Sequence, residues 1–110
     1  MRNLLLILIV LHGLLHLTGF AKAFKLAALK QLTQPISKFN GILWLLAGLL
    51  FLSAALLFSN YNGSWWIVSL PAIIISQYLI VNDWRDAGLG TVANIIIMLV
   101  SVIGYGVWSF

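Results

Sequence analysis

A chain of 110 residues that is 63% hydrophobic and 7% charged, with a mean hydropathy of +1.10, lies outside the range of soluble domains, where about a quarter of residues are charged. Six Lys and Arg against two Asp and Glu give a formal charge of +4, yet no basic patch is interleaved with aromatics, which excludes nucleic acid and leaves the lipid bilayer as partner. The absence of Cys excludes disulfides, thiolate metal sites, CxxC redox chemistry and covalent haem attachment.

A membrane helix needs about 20 residues. Four spans with short links therefore use nearly the whole chain and predict one all-α domain over 1–110, a four-transmembrane-helix bundle with spans near 3–21, 39–58, 65–81 and 91–108.

The first span, LLLILIVLHGLLHLTGF over Leu4–Phe20, carries His12 and His16 near its middle. Residues four apart share a helix face, so both rings point the same way, and that face continues through the small Gly19 and Ala23, where another helix can approach. Arg2, Leu4–Leu11 and Ala21-Lys22-Ala23 also have the layout of a signal peptide, but two histidines and the lysines that follow fit a retained span better. In AKAFKLAALKQLTQPISK, Lys22, Lys25, Lys30 and Lys38 mark an interfacial extension, helical by propensity to about Leu32. Thr33-Gln34-Pro35 ends it, and Pro35 suits the first turn of the next helix.

The second span, about Phe39–Phe58, has Gly41, Gly48 and Ala55 at seven-residue intervals, a close-packing stripe. Ser59–Ser64 is a turn by composition, short enough to make spans two and three antiparallel. The third span, about Trp65–Val81, contains Pro71, which predicts a kink and a carbonyl freed for another donor. The link Asn82–Gly90 holds both acids, Asp83 and Asp86, and the fourth span, about Thr91–Trp108, follows it.

Basic residues stay cytoplasmic. Lys22, Lys25, Lys30, Lys38 and Arg85 share one side and Arg2 alone holds the other, which predicts an integral membrane protein with both termini outside. Tyr61, Trp65, Trp66, Tyr105 and Trp108 then form an outer aromatic belt, with Trp84 at the inner interface.

With His12 set at mid-bilayer, a rise of about 1.5 Å per residue puts His16 about 6 Å, Gln77 about 4 to 5 Å and Asn94 about 9 Å toward the same side. Thr91, Asn94, Met98, Ser101, Tyr105 and Trp108 follow one helical seam, and Ser69, Ser76 and Asp83 follow another. Such faces avoid lipid, which predicts a polar pocket made of His12, His16, Gln77, Asn94, Ser76 and Ser101.

In its plainest reading, the histidines of that pocket hydrogen-bond across helices and fix the packing. A second is a divalent metal site, since two His at i and i+4 offer two nitrogens to one ion; Asp83 or Asp86 would add oxygen, although Asp83 sits roughly 13 Å below His12 by helical rise. Haem b fits poorly, because ligands one turn apart on one helix cannot take opposite axial positions. A neutral imidazole can also carry protons, but no nucleophile, base and orienter come together in the sequence, so no catalytic residue is assigned and the reading leans away from an enzyme.

The stretches H12-G-L-L-H16-L-T-G19-F20-A-K22 and D83-W-R-D86-A-G-L-G-T91-V-A-N94 resemble small uncharacterised bacterial four-span membrane proteins, distantly DoxX-like. This resemblance covers most of the chain in layout and implies a four-helix bundle. Some DoxX-like relatives are linked with quinone or thiol oxidation, which a chain without Cys has no matching residues to carry. Length and span count also resemble the small multidrug transporters, which implies a homo-oligomer and proton-coupled transport as the alternative. Those transporters use an acid in the first span, where this chain has histidines.

Overall fold

The computed structural model describes residues 2–24, 37–60, 62–82, 84 and 88–107. Among the described residues four long α-helices run: α1 (Arg2–Ala23), α2 (Lys38–Ser59), α3 (Trp65–Asn82) and α4 (Gly90–Val107). The first three are long and apolar enough to cross a bilayer, and α4 carries a shorter apolar stretch over Gly90–Ile103. The expected helical extension to about Leu32 and the role of Pro35 lie outside the described residues, as do Asp83, Arg85 and Asp86.

The bundle measures 41 × 22 × 21 Å, so its long axis matches a bilayer with its headgroup regions, about 40–45 Å. The helices neighbour one another in chain order, α1 on α2, α2 on α3 and α3 on α4, and α1 meets α4 more sparsely. A short turn joins α2 to α3. After α2, the Asn60 side chain and backbone both return to the Leu56 carbonyl, and Asn62 Oδ1 accepts from the Ser64 amide just before α3 begins. Phe58 and Trp65 stack edge-to-face across this turn with centroids 5.0 Å apart. At the start of α2, Ser37 Oγ accepts from the Asn40 amide, a cap that satisfies one of the unpaired donors of the first turn.

Small residues set how closely α1 and α2 approach. A Cβ on Gly48 would lie 3.0 Å from the Gly13 carbonyl oxygen, and one on Gly41 would overlap Ala23 Cβ. The close-packing stripe marked by this spacing therefore faces α1 at Gly41 and Gly48. Beside it on α2 runs a second line with the same period, Trp44, Phe51 and Phe58, all buried. Trp44 lies over Gly19, where any side chain would overlap the indole. Pro71 sits inside α3, which continues through it to Asn82.

Candidate functional site

The inward face of α1 is Ile9, His12, Gly13, His16, Gly19 and Ala23, which places both imidazoles in the bundle interior, 5% and 2% exposed. Ser76 is on the buried line of α3 with Ser69, Ala72, Leu79 and Ile80. Asn94 is on the buried line of α4 with Ile97 and Ser101. Three helices thus bring polar side chains to one level, and α2 closes the side with aromatic surface.

Their hydrogen bonds form a closed circuit. His12 Nε2 donates to Asn94 Oδ1 at 2.8 Å, and the Asn94 amide nitrogen donates to Ser76 Oγ at 3.0 Å. Ser76 Oγ meets His16 Nε2 at 2.6 Å, and His16 Nδ1 meets the His12 carbonyl oxygen at 2.6 Å. A carbonyl only accepts, so Nδ1 carries the hydrogen of His16; in a neutral ring, Nε2 then accepts and the Ser76 hydroxyl donates. The sense of every bond in the circuit follows. Donation runs from His12 to Asn94, to Ser76, to His16, and back to the backbone of His12.

A branch leads toward the link between α3 and α4. The second hydrogen of the Asn94 amide goes to Gln77 Oε1 at 3.1 Å, and Gln77 Nε2 donates to Thr91 Oγ1 at 3.1 Å. His12, His16, Gln77, Asn94 and Ser76 are therefore one network, as their shared depth implied. Ser101 is not part of it. It pairs instead with Ser69, the two hydroxyl oxygens 2.7 Å apart, and each hydroxyl also lies within reach of a carbonyl of its own helix, Ile97 for Ser101 and Trp66 for Ser69.

Aromatic rings wall the circuit. The imidazoles meet edge-to-face with centroids 4.5 Å apart, Phe51 lies 4.8 Å from His12 and 5.2 Å from His16, and Trp44 lies 5.0 Å from His16. Sequence reasoning did not single out Trp44 and Phe51; their shared seven-residue period with the glycine stripe was the available signal. Met98 corrects the expected seam on α4. It is 40% exposed, and Ile97, fully buried, takes the inward place between Asn94 and Ser101.

One polar atom of this centre stands apart. Among the described residues nothing donates to His12 Nδ1, although the residue is 5% exposed. The edge of the same ring approaches the start of α4, where a Cβ on Gly90 would lie 3.5 Å from His12 Cε1.

For a metal, the geometry offers one uncommitted nitrogen: both nitrogens of His16 and Nε2 of His12 already have partners. Among the described residues no three of His, Cys, Asp and Glu cluster; Asp83 lies outside them. A groove of about 310 Å³ lined by Leu6, Val10, Leu52, Ala55, Leu56 and Ser59 lies between α1 and α2, away from the imidazoles. No protein-family model, curated protein or solved structure matches this chain, so the DoxX-like resemblance rests on its two sequence stretches.

Proposed function

We propose that the protein is a small-ligand-binding membrane module, in which the histidine circuit joins α1, α3 and α4 and presents one acceptor position, His12 Nδ1, to a small species. One observation carries this reading: in a circuit whose other donors and acceptors are all matched, a nearly fully buried ring nitrogen has no partner among the described residues. Buried acceptors are paired in the great majority of cases, by protein or by something bound. The species that fits is a water-sized hydrogen-bond donor or a divalent cation able to take an imidazole nitrogen. Both termini and the 60–64 turn would face outside, in keeping with the distribution of Lys and Arg.

Native mass spectrometry with elemental analysis of gently purified protein tests the reading. A species retained by the parent chain and lost in His12→Ala is the expected result. Clean apo protein, with no ordered donor at His12 Nδ1 in an experimental structure, would overturn it.

A further inference from the structure

The groove of about 310 Å³ between α1 and α2 plays no part in the histidine circuit. Leu6 and Val10 line it from α1 and Leu52, Ala55, Leu56 and Ser59 from α2, so its wall is apolar except at one end. We propose that it is a phospholipid site, in which one acyl chain lies along the groove and the phosphate is held at Arg2.

The groove has the direction and depth of a chain in one leaflet. On α1, Arg2, Leu6 and Val10 recur every four residues and form one row of the helix. From Arg2 to Val10 the row rises about 12 Å, and from Ser59 to Leu52 on α2 the rise is about 10 Å, against about 15 Å for half the hydrocarbon core. The deep end is closed where glycines bring the helices together: a Cβ on Gly13 would lie 3.2 Å from Leu52 Cδ2, and one on Gly48 would lie 2.9 Å from Leu17 Cδ2. A second copy of the chain would need a stripe running along a whole helix, such as α1 and α2 offer each other. A groove that stops near mid-bilayer fits an acyl chain instead.

The open end is polar. Ser59 is half-buried at the rim, and Asn60 beside it is exposed. Ser59 Oγ donates to the Leu56 carbonyl at 2.8 Å, and Asn60 Nδ2 donates one hydrogen to the same carbonyl at 3.0 Å. The hydroxyl oxygen and the second amide hydrogen therefore remain for a headgroup. Arg2 heads the α1 row at this end, and a guanidinium binds phosphate oxygens in pairs. No acid competes for it by sequence, since Asp83 and Asp86 are the two the chain has and both come after α3, which ends on the opposite side of the bundle. Charge and shape agree: a cation stands at phosphate level, and apolar surface runs where the chain lies. An uncharged lipid fills the same groove but gains nothing from Arg2.

Native mass spectrometry of the full chain in detergent tests the site with two added lipids of identical acyl chains, phosphatidylglycerol and a monoglycosyl diacylglycerol, which lacks phosphate. The parent should retain phosphatidylglycerol in preference by about fivefold, the effect of one basic residue near a membrane surface, and Arg2→Gln should bring the two lipids level. Val10→Phe fills the groove from α1 and should lose both lipids. Leu15→Phe makes the same change at an exposed α1 position on another face and should behave as the parent. Equal retention of both lipids by the parent, an Arg2→Gln that keeps the preference, or a Val10→Phe that holds phosphatidylglycerol as the parent does would each overturn the proposal. So would a lipid-free dimer that Val10→Phe dissociates, since the groove would then hold a second copy. Arg2→Gln reads the headgroup contact whether or not Val10→Phe folds.

Discussion

Asn94 is the junction of the polar centre, accepting from His12 and donating to both Ser76 and Gln77. Replacing it with an apolar side chain of similar size leaves three groups without their partner in a site with little water. Asn94→Leu should therefore lower stability by about 2 kcal/mol, the order expected for stranding buried polar groups. Ser101→Ala should cost only about 0.5 kcal/mol, because membrane interhelical hydrogen bonds average near that value and Ser69 can turn its hydroxyl to the Trp66 carbonyl. Chemical unfolding in detergent compares the two, and equal losses would show that the circuit holds the helices no better than an ordinary serine pair does. His12 and His16 were legible from their spacing, and Asn94 and Gln77 from depth. The sense of the circuit was not, because it depends on which carbonyl His16 takes. The structure uses the carbonyl of His12, one turn back on the same helix.

Helix pairing explains why the circuit closes where it does. On α2 the positions 41, 44, 48, 51, 55 and 58 alternate small and aromatic residues at the three-and-four spacing of an interhelical seam. Gly41 and Gly48 let α1 approach closely, and Trp44 and Phe51 then reach beneath the imidazoles. Gly41→Ala should cost about 1–3 kcal/mol by overpacking, since the added methyl overlaps Ala23 and the backbones must separate. Gly48→Ala should cost a similar amount, its new Cβ lying 2.9 Å from Leu17 and 3.0 Å from a backbone oxygen. Gly63→Ala has nothing within 4 Å and should stay within about 0.5 kcal/mol of the parent. A thermal-unfolding series over these variants checks the ordering. The glycine period was readable because small residues in lipid have few other uses. The aromatic line was harder to read, since Trp and Phe on a membrane helix suit lipid and interior alike. Met98 misled for a related reason: 97 and 98 both lie near the Asn94 face, and only the packing of α4 against α3 decides which turns in.

For the molecule as a whole, the all-α four-helix bundle was legible, because four apolar runs separated by polar turns admit few other arrangements in a bilayer. Orientation is an expectation from charge alone. The native absence of Cys makes it simple to test with single-cysteine variants. In intact cells, an impermeant thiol reagent should label Asn62→Cys and spare Lys30→Cys, and the reverse pattern would invert the assigned topology.

The composition of the polar centre also bears on how the chain assembles during synthesis. Helices α1, α3 and α4 supply its hydrogen-bonding groups, whereas α2 brings only apolar and aromatic surface to it. The first two helices can dock on shape alone as soon as both have entered the bilayer. His12, however, meets its acceptor only when Asn94 arrives on α4, made after the other three. Until then the imidazole has to find a temporary partner or remain near water, so insertion of α4 acts as the latch that closes the circuit.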